Sequence, residues 1–170
     1  MFKIELKFLK IKTELHPTTG TTLEYLDHHH AISVLIIDET EKKTLLVNQY
    51  RPGNRGNLYE VPAGLIDEDE NPEEAMFREV LEETGYSKED LNLIYSYPKP
   101  LLISPGYTTE NLNFFIVKLK SNEILPKEQA FDEGEDLFTE WVKLGDVEKL
   151  QIDLKTVFLL NLYKLKKIEG

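Results

Sequence analysis

The chain has 170 residues, a formal net charge of −11 and a pI near 4.9, which argues against a binder of duplex nucleic acid, because that needs a basic footprint. It has no cysteine, so disulfides, thiolate metal sites and cysteine nucleophiles are excluded. Its 41% hydrophobic content supplies a core, and no apolar run approaches the ~20 residues of a membrane span, so a cytoplasmic protein with no membrane contact is expected.

Along residues 2–15, Phe2, Ile4, Leu6 and Phe8 alternate with Lys3, Glu5 and Lys7. That pattern reads as a strand with one wet face and not as a signal peptide. Residues 16–20 make a turn by composition, and a second strand is expected over 21–27. His28, His29 and His30 then lead into a strand over 31–38; on alternating faces, the three rings cannot all address one ion. A strand over 44–49 and a short extended piece over 57–61 follow. Asn71 as N-cap, Pro72 at the first helical position and Gly85 as a left-handed terminator predict a helix from Pro72 to Thr84. Its expected packing face is Phe77, Val80, Leu81 and Thr84, with Glu79, Glu82 and Glu83 opposite. Strands near 92–97, 112–119 and 138–144 come next, then a short helix near 145–150. Asp153 can cap a final amphipathic helix with Leu154, Val157, Phe158, Leu162 and Leu165 on one stripe. Strands flanked by helices predict an α/β fold, a mixed β-sheet sandwiched by helices.

The acid distribution is the strongest functional signal. Between Glu60 and Asp90 there are twelve carboxylates against two cations, Arg78 and Lys88. Glu79, Glu82 and Glu83 are i, i+3 and i, i+4 neighbours, and each like-charged pair costs a helix about 0.2–0.5 kcal/mol. They also stand in its last turns, where the macrodipole disfavours anions. A hard divalent cation with oxygen ligands, Mg²⁺ or Mn²⁺, offsets that repulsion; a solvated acidic face does not explain the missing lysine partners.

The spacing Gly64, Glu70, then Arg78-Glu79-Val80-Leu81-Glu82-Glu83-Thr84-Gly85-Tyr86 resembles the Nudix box, G-x5-E-x7-R-E-U-x-E-E-x-G-U, at every fixed position. Tyr86 replaces the final aliphatic residue, a change that touches nothing catalytic. The resemblance implies a Nudix-type α/β/α sandwich and Mg²⁺-dependent hydrolysis of a nucleoside diphosphate linked to another moiety. It implies that Glu79 and Glu83, with the carbonyl of Ala63, ligate metal directly, and Glu82 directly or through water. Arg78 would orient the carboxylates, and Glu70 would hold the loop and Arg78. Residues 1–27 are extra to a minimal domain over 28–170. In the ADP-ribose pyrophosphatase branch a similar β segment pairs with a second subunit, which implies a homodimer.

Three further stretches resemble that branch: Ser104-Pro105-Gly106-Tyr107-Thr108-Thr109-Glu110, Gln49-Tyr50-Arg51-Pro52, and Glu60-Val61-Pro62-Ala63-Gly64. They imply substrate contacts at Arg51, Glu60, Gly106 and Glu110. Pro105 lies nineteen residues past Tyr86, a few more than the branch's usual spacing, and Ser87–Asp90 is a candidate extra loop. In the acidic stretch Asp132–Asp136, Glu135 is the favoured water-activating base and Glu133 the runner-up. The expected reaction is ADP-ribose to AMP and ribose 5-phosphate. A nucleotide sugar, a dinucleoside polyphosphate or NADH is the alternative substrate, and a non-catalytic nucleotide sensor the alternative class.

Overall fold

The computed structural model describes residues 9–130 and 136–169. A two-stranded antiparallel hairpin, β1 (Lys10–Leu15) and β2 (Thr22–Asp27), precedes an eight-stranded mixed sheet. That sheet comprises β3 (Ala31–Ile37), β4 (Lys43–Arg51), β5 (Gly56–Glu60), β6 (Ala63–Leu65), β7 (Leu91–Ser96), β8 (Leu101–Leu102), β9 (Asn111–Leu119) and β10 (Leu137–Lys143). Its spine runs β10-β4-β3-β9-β7; β5 adds to β4, β6 to β3 and β8 to β9. The β3–β9 pair is parallel and the other pairs are antiparallel. Among the described residues no helix is long and apolar enough to cross a membrane.

β3 is buried at every residue, which explains its near-continuous apolar run. One of its faces, Ile32, Val34 and Ile36, packs with Ala75, Met76 and Val80 of α1 (Pro72–Thr84). The other, Ala31, Leu35 and Ile37, packs with Leu159, Leu160 and Tyr163 of α2 (Leu154–Glu169). The sheet therefore lies between two helices, as expected. Two short strands were not legible. β6 carries a glycine directly after Pro62-Ala63, a composition that reads as a turn, and β8 has only two residues. Ser87–Asp90 is compact: Lys88–Asp90 forms a 3₁₀ turn, and Asp90 accepts from the Ser87 backbone at 2.8 Å and from its hydroxyl at 2.6 Å.

The hairpin departs from the expected pattern. β1 is exposed along its whole length, with Ile11 and Leu15 both more than 60% exposed, so neither of its faces is buried. Residues 2–8 of the expected first strand lie outside the described residues. β2 is tied to the body where Leu26 donates to the Tyr107 carbonyl at 2.8 Å and accepts from Thr109 at 3.0 Å.

α1 begins and ends as expected. The Asn71 side chain accepts from Glu73 and Glu74 at 3.0 Å, and Gly85 ends the helix at φ 76°. Its buried face is rotated from the expected one. Ala75, Met76, Val80 and Thr84 are inside, Phe77 is partly buried and Leu81 is 38% exposed. Met76, at i−4 from Val80, sets the centre of that face, and Glu83, at i+3 from Val80, falls on it.

Gly85 also sits under a strap. A side chain there would collide with the Lys127 carbonyl, and Lys127 donates to the Gly85 carbonyl at 2.9 Å. The left-handed backbone alone costs alanine about 1–2 kcal/mol. Gly85→Ala should therefore lower the melting temperature by roughly 2–8 °C, and by more if the strap is displaced. Thermal unfolding followed by circular dichroism measures this; an unchanged midpoint would contradict it.

Candidate functional site

The loop ahead of α1 and the helix itself are joined by one guanidinium. Arg78 donates from Nε and Nη2 to the two carboxylate oxygens of Glu70, at 3.0 and 2.9 Å. It also donates from Nη2 to the Leu65 carbonyl at 2.8 Å, and from Nη1 to Glu79 at 2.8 Å and Glu82 at 3.1 Å. Bidentate carboxylate pairing suits the planar fork of arginine and not lysine. The Arg78 hydrogen bonds hold the Glu70 carboxyl below its ordinary range, and the Glu70 pair raises the Arg78 pKa still further. Glu70 accepts from the Asp67 backbone as well, at 3.1 Å, which closes the loop.

The three helix carboxylates are graded in burial. Glu82 and Glu79 keep 32% and 14% of their side chains exposed, whereas Glu83 is 4% exposed. The expectation that all three acids lie opposite the packing face is corrected here: Glu83 lies on the inner side of the helix. It accepts from the Ala63 backbone N–H at 3.2 Å. Glu79 lies against Gly64, where any side chain would overlap its carboxylate. Thus β6 and the last turns of α1 meet face to face.

Part of this arrangement lines a cavity of about 1040 Å³. Glu79, Glu82, Arg78, Ala63 and Gly64 line it, as do Arg51, Glu60, Asp153 and Lys155. Glu60 is only 2% exposed. Arg51 donates to both of its oxygens, at 2.7 and 2.8 Å, and Lys155 pairs with it too, while also pairing with Asp153. Burial alone would raise the Glu60 carboxyl; the arginine and lysine outweigh it and hold the group below its ordinary range. The same pairing raises Arg51. Lys155 and Glu60 keep only 15% and 2% of their side chains exposed, whereas Arg51 keeps 41%, so the lysine pair is the more buried of the two.

Glu110 lines the same cavity beside Leu101, Leu102 and Ile103. Gly106 does not. It sits in an exposed turn with open space around it. Glu133 and Glu135 lie outside the described residues. Sequence reasoning missed Lys155, having used Asp153 only as a cap. The missed signal was available: a cation in the first turn of a helix opposes the macrodipole, just as acids in the last turn do. Phe158, read as part of a helix stripe, also reaches the cavity wall.

Among the described residues no group of three acidic or histidine side chains is already gathered as a metal site. The donor set nonetheless suits a hard dication. Three carboxylates share the end of one helix, and the absent side chain of Gly64 lets Glu79 approach the backbone of β6.

Comparison with known proteins agrees with this geometry. The NUDIX domain model matches residues 27–160. The chain is 31% identical over 159 residues to the ADP-ribose pyrophosphatase of Bacillus subtilis (strain 168), covering 91% of this chain and 82% of that protein. It is 34% identical over 152 residues to the GDP-mannose pyrophosphatase of Salmonella typhimurium, covering 81% and 75%. It is 31% identical over 151 residues to the methanol dehydrogenase activator of Bacillus methanolicus, covering 85% and 77%. With the complete box placed on one loop and helix, these matches show that the chain belongs to the NUDIX family, as a hydrolase acting on phosphorus-containing anhydrides.

Proposed function

We propose that this chain is a Mg²⁺-dependent pyrophosphohydrolase whose principal substrate is ADP-ribose, split into AMP and ribose 5-phosphate. The observation that carries this reading is one cavity that presents both helix carboxylates and cations. Glu79 and Glu82 line it together with Arg51 and Lys155. A diphosphate needs both: dications for its charge and fixed cations for its orientation.

In this reading Glu79, Glu82 and Glu83, with the Ala63 carbonyl, hold the dications, and Mn²⁺ can substitute. The bound ions would neutralise the diphosphate and acidify water. Arg78 keeps Glu79 and Glu82 in place, since it donates to both. Arg51 and Lys155 steady the diphosphate, and Glu60 fixes both of them. Glu110, which lines the same cavity, contacts the nucleoside or terminal sugar. Glu135, or Glu133 in its place, removes the proton from the attacking water. A nucleotide sugar such as GDP-mannose is the second reading. The Salmonella relatives named for that activity favour it. The exposed hairpin carrying Ile11, Leu15 and Leu23 supports a further part of the proposal, that residues 1–27 pair two copies of the chain into a homodimer.

The test is incubation with ADP-ribose, ADP-glucose and GDP-mannose plus Mg²⁺, with products identified by chromatography. ADP-ribose should be cleaved fastest, to AMP and ribose 5-phosphate. Glu83→Gln should lower kcat by at least about two orders of magnitude with the fold retained, because the amide oxygen can still accept from Ala63. Cleavage of none of the three would overturn the reading, and preferential release of GMP would favour the alternative.

Gly64→Ala separates site geometry from stability. The Gly64 backbone is not left-handed, so the chain should fold with alanine, which adds no backbone strain there. Its methyl would displace the Glu79 carboxylate, and kcat should fall at least about tenfold. A variant with full activity would show that the seat of Glu79 against β6 is immaterial.

A further inference from the structure

Between β5 and β6 the chain makes two fixed contacts of different origin. The Val61 N–H donates to the Thr156 hydroxyl at 2.9 Å, and the Ala63 N–H donates to Glu83 at 3.2 Å. Pro62 stands between them with no N–H, and its carbonyl accepts from Val34 of β3 at 3.0 Å. Both Val61 and Thr156 are fully buried. Thr156 is itself fixed, since its N–H donates to the Asp153 side chain at 3.0 Å. Lys155, next to it, is held by Asp153 and Glu60. Asp153, Lys155 and Thr156 therefore grip the peptide that leads to Ala63, from the side opposite α1.

A buried N–H needs a partner, but a nearby strand would normally supply one. Here β5 ends at Glu60 and β6 begins at Ala63, so Val61 falls between the two ladders. A side chain from another layer of the sandwich takes the place of a ladder bond. Pro62 has its φ fixed at about −65°, which stiffens the step between Val61 and Ala63.

We infer that Thr156 is a positioning residue of the metal-binding site: its hydroxyl fixes Val61, and through Pro62 fixes the Ala63 backbone on which the Glu83 carboxylate is seated. The helix carrying Thr156 thereby sets the site from beneath, although Thr156 is absent from the cavity wall. The turnover arm of the test rests on the hydrolase reading proposed above; the exchange and ion-binding arms do not.

The test compares Thr156→Val, of similar size but without the hydroxyl, with Thr156→Ser, which keeps it. Amide hydrogen exchange at Val61 and Ala63, Mn²⁺ affinity by electron paramagnetic resonance, and kcat and KM on the cleaved substrate are measured. In Thr156→Val, exchange should quicken at both amides, Mn²⁺ affinity should weaken, and kcat should fall about 10- to 100-fold with KM little changed. Thr156→Ser should restore all of these despite a lower melting temperature from the lost methyl. Faster exchange confined to Val61, with Ala63, Mn²⁺ affinity and kcat unchanged, would reduce Thr156 to helix docking and overturn the proposal. If Thr156→Val does not fold, Thr156→Ser decides: normal Ala63 protection and kcat at reduced stability support it, and losses that track stability refute it. If the wild type cleaves no nucleoside diphosphate derivative, the proposed function fails, while exchange and Mn²⁺ binding still decide the role of Thr156.

Discussion

Arg78 reaches Glu70, Glu79, Glu82 and the Leu65 carbonyl from one side chain. The surrounding segment, Glu60 to Asp90, has only one other cation, Lys88, whose contact with Glu73 is a long 3.8 Å. Without that guanidinium, the acidic loop and the acidic end of α1 would repel each other, and the loop would have no reason to close. The closed loop brings β6 alongside β3, and β6 in turn receives Glu79 and Glu83. Loop, helix and sheet edge are thus arranged by one ion-pair network. An isolated surface pair is worth about 0–1 kcal/mol, but a bidentate, partly buried network with several acceptors is stronger and better defined in geometry.

A second network of opposite sense lines the same cavity. There the buried Glu60 carboxylate holds two cations, and Asp153 pairs with one of them. The two networks exchange roles: Arg78 restrains a group of carboxylates in the first, and Glu60 with Asp153 restrains two cations in the second. This arrangement is costly for stability alone, since a well-packed apolar replacement for a buried pair is often as stable or more so. It is useful where a polyanion and its counter-ions must be held together. The strap from Lys127 to Ala130 supports the carboxylate side, because Gln129 and Ala130 donate to the Glu83 and Glu82 carbonyls that the helix end would otherwise leave open.

Much of this was legible in the sequence, for reasons that can be named. Asn71, Pro72 and Gly85 mark α1 because capping depends on local chemistry. β3 is legible because burial on both faces removes polar residues from it. What was not legible depends on contacts between distant segments. The rotation of α1 that hides Glu83 is set by the sheet beneath Met76, and helical periodicity alone leaned instead on Leu81. β6 forms at Ala63–Leu65 because β3 and Arg78 hold it there, against the turn-like composition of Pro62-Ala63-Gly64. Thr156 looks like an ordinary helix residue until the fold places it against Val61, 95 positions earlier. Lys155 is the exception, since its place in the first turn of α2 was a visible anomaly.

The central claim is that Glu79, Glu82 and Glu83 are gathered to hold dications. Its most direct test is titration of Mn²⁺ into the protein with an uncleaved nucleotide analogue present, followed by electron paramagnetic resonance. The wild-type chain is compared with a variant carrying Glu79→Gln, Glu82→Gln and Glu83→Gln. We expect saturable binding to the wild type and at least about a tenfold loss of affinity in the variant, with the circular dichroism of the two alike. Equal Mn²⁺ affinity in both proteins would contradict the claim.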